Sequence, residues 1–347
     1  MVIVAQLVRA PDCGSGGRGF EPRLSPNKPH PDSLEGVFNF STMKKIMFLF
    51  LFTMVTAEVC SQHSFVPDKL MLDLKILSSD SLEGRKTGTG GNKKARAYII
   101  DQLKKAGVEP FISGYVQPFS ITQMFGMVQS GDGANILGVI TGKKKETIVI
   151  SAHYDHLGVQ NNTIYNGADD NASGVAALLA MIQYFKKNTP QHRLIFAFFD
   201  AEEMGLKGSE YFVNTLDLHK ENVVLNVNLD MVSRSEKNEL YACGTYYHPQ
   251  LKESMLKMKV PSGLKLLFGH DKLTMDKDDW TKQSDHYNFH QKKIPFLYFG
   301  VEDHADYHKP GDDFEKINAD FYANSTQTIL QAVRTLDKNV RNYWINP

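Results

Sequence analysis

The sequence predicts an α/β fold: a three-layer sandwich with a mixed, largely parallel central sheet. Two observations favour this fold. Apolar runs of strand length alternate along the chain with amphipathic segments of helical period. Two of the runs, Leu194–Phe199 and Val223–Leu229, are continuous enough to suit strands that are buried on both faces of a sheet.

The predicted elements follow one another through Lys69–Asn339 without a linker rich in proline, glycine or serine. Apolar residues at helical spacing predict helices over Ala95–Ala106, over Val175–Phe185 and from Asn318 onward. Residues 244–290 are less periodic and more polar, and we expect surface excursions near the site there. The predicted strands are Asn135–Thr141, Thr147–Ala152, Leu194–Phe199, Val223–Leu229, Asn238–Ala242 and Pro295–Gly300. The first two are expected to form a hairpin or to lie side by side, because only a lysine-rich turn separates them.

Residues 1–42 are predicted to lie outside the fold. They are rich in glycine, proline, arginine and serine and show no apolar period, which is typical of disordered chain. Val4–Ala10 and Phe20–Pro22 can be encoded by the D-arm and T-arm sequences of a tRNA gene. We therefore interpret 1–42 as spurious upstream translation, with synthesis starting at Met43.

Residues 43–61 have the features of a signal peptide. Two lysines precede the apolar run Ile46–Ala57, and the small residue Ser61 stands before the expected cleavage site. The run is too short to span a bilayer comfortably. The sequence thus predicts a periplasmic or secreted protein in which 62–347 form a single catalytic domain.

The charge balance excludes some classes of partner. Lys and Arg number 39, Asp and Glu number 39, and the formal net charge is zero. Broad electrostatic binding to nucleic acid or to an anionic membrane is therefore not expected, and neither is stable membrane association after signal cleavage. Cys13, Cys60 and Cys243 lack the spacing of a cysteine zinc site, and removal of the signal peptide would leave only Cys243.

Polar side chains follow the predicted strands or open the next helix. Each cluster alone fits a turn, a helix cap or a solvated pair. Together they would repel one another at one sheet edge unless a cation lay between them. Imidazole and carboxylate groups without thiolates suit a catalytic zinc site. The clusters occupy positions 153–156, 167–174, 200–203, 230 and 304–313.

These clusters resemble the motifs of the M28 family of zinc aminopeptidases, in its bacterial leucyl aminopeptidase-like form. The resemblance covers about Lys69 to Lys338 and includes Leu82–Gly88 and Ser284–His286. Phe111–Asn135 is too short for the protease-associated domain of some members. The resemblance implies a phosphorylase/hydrolase-like zinc exopeptidase fold. The motifs are His-x-Asp at 153–155, Gly-Ala-Asp-Asp-Asn-Ala-Ser-Gly at 167–174, Asp-Ala-Glu-Glu at 200–203, Asn-Leu-Asp-Met at 228–231 and Asp-Tyr-His-x-Pro at 306–310.

The resemblance also implies a ligand set for two Zn²⁺ ions. Asp170 would bridge the ions, and the peptide bond from Asp170 to Asn171 would be cis. One ion would be completed by His153 and Asp230 and the other by Glu203 and His308.

Two further carboxylates are assigned catalytic roles. The resemblance implies that Asp155 accepts the second imidazole N–H of His153 and so fixes its tautomer. Glu202 neighbours a ligand but is left free of the metals, so it is the candidate general base for the attacking water.

The predicted function is hydrolysis of the N-terminal peptide bond of peptides with a free N-terminus. A carboxypeptidase or dipeptidase of the same fold stays an alternative, and the former needs a cation such as Arg234 for the terminal carboxylate. A glutaminyl cyclase is a second alternative, since cyclases of this fold use one metal. A binding module without activity is disfavoured by the complete ligand set and Glu202.

Some residues near the motifs keep ordinary interpretations. His156 and His304 are expected to be outer partners of the ligands or loop residues, and His286 is expected to be structural. Trp280, Tyr247 and Phe289 are candidates for the substrate pocket, although core or surface positions are the default for aromatic residues.

The upstream interpretation predicts the mass of the protein isolated from its native host. We expect the intact mass of a product that begins at Met43, or at Gln62 once the signal peptide is removed. A product that begins at Met1 would contradict it.

Overall fold

The computed structural model describes residues 64–121, 131–272 and 278–339. The segments 1–42 and 43–61, interpreted above as upstream translation and signal peptide, lie outside these described residues. Within the described ranges, no helix is both long and apolar enough to cross a membrane. The helices are α1 (Pro67–Leu77), α2 (Gly90–Lys105), α3 (Gly174–Lys187), α4 (Lys207–Thr215), α5 (Pro249–Met255), α6 (His286–Gln291) and α7 (Ala319–Asn339).

The strands build one mixed sheet and a small separate hairpin. The strands are β1 (Glu109–Pro110), β2 (Val116–Ile121), β3 (Gly131–Ile140), β4 (Thr147–His153), β5 (Gly158–Gln160), β6 (Thr163–Tyr165), β7 (Arg193–Phe199), β8 (Val223–Leu229), β9 (Glu239–Cys243), β10 (Lys265–Phe268) and β11 (Phe296–Gly300). The order across the sheet is β1-β3-β7-β4-β8-β11-β9-β10, with β2 also paired to β3, while β5 pairs with β6. The four central strands, β7, β4, β8 and β11, run parallel to one another.

Side chains of the central strands alternate between two apolar layers, because successive residues of a strand point to opposite faces. Ile148 and Ile150 of β4 pack in the layer that contains buried residues of α1, α2, α3, α5 and α7. Val149 packs on the other face with Phe212 of α4 and Phe289 of α6. The predicted three-layer α/β sandwich with a mixed, largely parallel sheet is thus confirmed.

A row of hydrogen-bonded polar side chains explains how β8 carries two asparagines in a fully buried sheet. The Nδ2 of Asn226 donates to Ser151 Oγ at 2.9 Å, and that hydroxyl donates to Asn228 Oδ1 at 2.7 Å. The Nδ2 of Asn228 donates in turn to Ser284 Oγ at 2.9 Å. Buried polar groups are tolerated when they are paired in this way.

The predicted hairpin between the first two strands is wrong. β7 lies between β3 and β4, antiparallel to the former and parallel to the latter. The intervening turn bonds to the segment before β7 instead of closing a hairpin: Lys143 N donates to Pro190 O and Lys144 N to Gln191 O. Residues 244–290 likewise contain more structure than expected, since β10 pairs with β9 and α5 lies between them in the chain.

Candidate metal centre

The polar clusters meet because they leave adjacent parallel strands at the same edge. His153, the last residue of β4, pairs with Phe199, the last residue of β7, and Asp200–Glu203 follow directly. β8 lies on the other side of β4 and ends one residue before Asp230. The carboxyl edge of a parallel sheet therefore delivers imidazole and carboxylate groups to one place.

Two sets of donor atoms share Asp170. In the first set, His153 Nε2 lies 3.3 Å from Asp170 Oδ1 and 3.2 Å from Asp230 Oδ1. In the second set, His308 Nε2 lies 3.1 Å from Asp170 Oδ2 and 3.3 Å from Glu203 Oε2. The two oxygens of one carboxylate thus belong to different sets.

These spacings fit zinc. An ion bound at about 2.0–2.1 Å by tetrahedral ligands places neighbouring ligand atoms about 3.3 Å apart. All four distances in the two sets lie close to that value. The donor types, nitrogen and oxygen without sulfur, are also those of catalytic zinc sites.

Glu202 and His156 complete the cluster. Ligand atoms of His153, Glu202 and Asp230 lie within 4.8 Å of one another, and so do those of His156, Asp170 and Glu203. The buried His156 has its Nδ1 2.7 Å from Glu203 Oε1, but the two groups are not aligned for a hydrogen bond, and neither atom has a hydrogen-bond partner within the described part of the chain. His156 is therefore a buried neighbour of Glu203, and its expected role as an outer partner of the ligands stays a prediction.

Asp155 connects the two strand ends that carry the site. Its carboxylate accepts the backbone N–H of Glu202 at 3.1 Å and of Glu203 at 3.3 Å. The expected contact to His153 is different in detail, because Nδ1 lies 3.2 Å from the backbone carbonyl of Asp155 and 3.7 Å from the carboxylate. Main chain and side chain of one residue therefore orient a histidine and the Glu-Glu pair together.

The loop that presents Asp170 is held by another carboxylate. Asp312 accepts the backbone N–H groups of Asp169 at 3.0 Å and of Asp170 at 3.0 Å. The Asp170–Asn171 peptide bond is cis, as the resemblance implied. Asn171 Nδ2 donates to Leu229 O at 2.9 Å and thereby attaches this loop to the end of β8. Sequence reasoning grouped Asp312 with the site but gave it no role.

Crowded acidic groups raise proton affinities around the site. Burial raises the pKa of Glu202 well above its usual range; His153 opposes the shift, while Asp230 and Asp285 add to it. Burial also raises the pKa of Asp285 to about 7. A carboxyl whose pKa is raised can take up a proton near neutral pH, which is the property of a general base.

A cavity of about 60 Å³ opens beside the donor groups. Trp280, one of the three candidate aromatic residues, lines it, whereas a core or surface position was the default expectation for each. Phe289 instead packs in the core against Phe199 and Phe212. Tyr247 lies outside the lining and packs against Phe296. The lining residues are Asp170, Glu202, Asp230, Met231, Trp280, Gln283, Tyr298, Val301, Asp303, Tyr307 and His308.

Comparison with known proteins decides the family. The family model of Peptidase family M28 matches residues 135–333, more than half of the chain. The chain belongs to peptidase family M28. The matched stretch contains all the residues of both donor sets.

Other proteins resemble this chain in sequence or in fold. Aminopeptidase YwaD of Bacillus subtilis is 28% identical over 218 residues, which cover 57% of this chain and 44% of the relative. The chain spans about a tenth of the vacuolar membrane proteases of Saccharomyces cerevisiae that it also matches. Among solved structures, a zinc aminopeptidase of Bacillus subtilis superposes with a TM-score of 0.61 at 19% identity, covering 78% of this chain and 95% of that one. A glutaminyl cyclase of Fimbriiglobus ruber superposes with a TM-score of 0.65 at 17% identity and similar coverage, 78% and 95%.

The shared position of Asp170 predicts the result of removing its charge. Asp170→Asn keeps the shape of the side chain but removes a negative charge from both donor sets, so we expect Zn²⁺ affinity to fall at least about 100-fold. Affinity is measured by competition with a chromophoric chelator. Asp101→Asn, on the exposed face of α2, makes the same chemical change away from the site and should bind Zn²⁺ like the unmodified chain. Equal affinity in the two variants would exclude Asp170 as a ligand.

Proposed function

We propose that the chain is an aminopeptidase with two zinc ions that hydrolyses the N-terminal peptide bond of peptides. The observation that carries this proposal is the division of Asp170 between two histidine–carboxylate sets, with Glu202 beside one of them. The sequence similarity to a Bacillus aminopeptidase supports the same activity.

Glu202 is proposed to move the proton in the reaction. Bound zinc would supply Lewis-acid polarisation of the scissile carbonyl and a stronger water nucleophile at neutral pH. The Glu202 carboxylate takes a proton from water as the water oxygen attacks the carbonyl carbon. It then gives that proton to the leaving amine as the C–N bond breaks. Asp155 orients Glu202 for both steps through the backbone N–H.

The cavity favours a substrate with a free amine. Asp170, Glu202, Asp230 and Asp303 contribute carboxylates to its lining, and no lysine or arginine is found among the described lining residues. Two bound zinc ions would offset the charges of the ligands Asp170 and Asp230, so Glu202 and Asp303 are the lining carboxylates left to attract an ammonium group. The small volume of the cavity, about 60 Å³, suits the end of a chain rather than a continuous peptide.

The same contacts disfavour a carboxypeptidase. Arg234, the candidate cation for a terminal carboxylate, lies outside the cavity lining and donates to Asp306 at 2.7 Å. A glutaminyl cyclase remains the second candidate because a cyclase shares the fold. The two activities differ in product, since a cyclase releases ammonia from N-terminal glutamine and leaves the peptide bonds intact.

Replacement of Glu202 tests its role as the base. Glu202→Gln cannot accept the proton, so we expect kcat to fall about 10²- to 10⁴-fold with zinc content unchanged. Glu210→Gln, on α4 in an exposed ion pair with Lys207, is the matched control and should keep full activity. Unchanged turnover in Glu202→Gln would refute the role, and loss of zinc would mean that Glu202 is a ligand instead.

A panel of substrates tests exopeptidase action. We expect release of the first residue from amino-acid p-nitroanilides and peptides, because the lining carboxylates outside the ligand set, Glu202 and Asp303, would attract the positive charge of a free amine. N-acetylated versions should be resistant, and mass spectrometry of a peptide with N-terminal glutamine should show a lost residue. Cleavage of acetylated substrates would contradict amine recognition, and loss of ammonia alone would favour the cyclase.

A further inference from the structure

Arg85 is a large side chain that is almost completely buried, with 1% of its surface exposed. Its guanidinium donates to four backbone carbonyls. Nε donates to Tyr154 O at 2.9 Å, and Nη2 donates to Gly167 O at 2.8 Å. Nη1 donates to Leu77 O at 2.6 Å and to Asn166 O at 2.5 Å.

Three of these carbonyls belong to the two loops that present the proposed ligands His153 and Asp170. Tyr154 stands between His153 and Asp155, so its carbonyl is fixed within the turn that follows β4. Asn166 and Gly167 directly precede the loop that presents Asp170. One planar group therefore joins two segments that are remote in sequence.

The charge of Arg85 has no direct acidic partner among the described residues. Its four acceptors are neutral carbonyls, and a buried charge left without compensation is costly. Burial lowers the pKa of Arg85 to about 10, while the nearby charges of Asp170, Asp312 and Asp155 act in the opposite direction. Arg85 thus stays positive at neutral pH, and the acidic groups of the site provide its compensation.

The backbone at Arg85 and the two residues before it has an unusual conformation. Glu83, Gly84 and Arg85 all have positive φ, at 52°, 63° and 52°. A Cβ on Gly84 would lie 2.3 Å from Tyr165 O and 2.7 Å from Gly158 O, so only glycine allows this close approach. Such a conformation is unfavourable for ordinary residues and persists where surrounding contacts require it.

We propose that Arg85 is a positioning residue that holds the turn of His153 and the loop of Asp170 in their metal-binding arrangement, even before a metal is bound. The proposal rests on the zinc site of the proposed function. It accounts for a segment, Leu82–Gly88, that belongs to the family resemblance but takes no part in the donor sets. A lysine at this position could keep the charge but could not reach four acceptors with a planar fork.

The test compares zinc binding in Arg85→Lys and in the unmodified full chain. We expect the Zn²⁺ affinity of Arg85→Lys to fall about 10- to 100-fold, as for other outer partners of metal ligands. The visible absorption spectrum of the Co²⁺-substituted protein should also change, because the ligand geometry is altered. Both are measured well below the melting temperature, so that only folded protein contributes.

Arg193→Lys is the matched control. Arg193 also donates to a backbone carbonyl, Glu221 O at 2.6 Å, and to Thr147 Oγ1 at 2.8 Å. It lies at the first residue of β7, at the opposite end of the strand from the site. Its replacement should leave both Zn²⁺ affinity and the Co²⁺ spectrum unchanged.

Each outcome has a distinct meaning. A folded Arg85→Lys with wild-type affinity and spectrum would overturn the proposal, even if its melting temperature fell. Failure of the unmodified chain to bind Zn²⁺ would instead overturn the proposed function. If Arg85→Lys does not fold, the proposal is tested by backbone hydrogen exchange of the unmodified chain. Residues 154–157 and 166–173 should stay protected from exchange after the metal is removed with a chelator. Full loss of protection would overturn the proposal, because it would show that metal alone holds these residues.

Discussion

The carboxylate of Asp170 is the group on which the arrangement of the site depends. Its two oxygens face two different histidines, His153 and His308, so the orientation of this one side chain fixes both donor sets at once. Two hydrogen bonds of the surrounding loop support the position of Asp170. Asp312 holds the backbone before it, and Asn171 attaches the residue after it to the end of β8.

Gathering so many acids at one sheet edge has an electrostatic cost that the fold offsets locally. Backbone N–H groups satisfy Asp155 and Asp312, while imidazoles contact Asp170 and Glu203. At Asp312 these hydrogen bonds favour the charged form, although burial outweighs them and raises its pKa to about 6. Burial is the main cause of the raised pKa of Glu202, and the charges of Asp230 and Asp285 add to it.

The site could be predicted from the sequence to the extent that strand ends and motifs encode it. The clusters after β4, β7 and β8 were predictable because parallel strands bring their carboxyl ends to one edge. The position of β7 between β3 and β4 could not be predicted, since local apolar patterns do not specify which strands pair. The contacts of Arg85 were also beyond reach, because they join residues 69 and 82 positions away in the chain.

The polar row inside the sheet has a consequence for how the domain can change. Hydrogen bonds run along this row from Asn226 to Ser151, from Ser151 to Asn228 and from Asn228 to Ser284. Ser284 lies just before α6. Exchanging Asn228 for valine would remove the acceptor of the Ser151 hydroxyl and the donor to the Ser284 hydroxyl, and a buried polar group that loses its partner costs about 1–3 kcal/mol. These positions are therefore coupled through shared hydrogen bonds, and replacing two neighbours together is expected to cost less than the sum of the two single replacements.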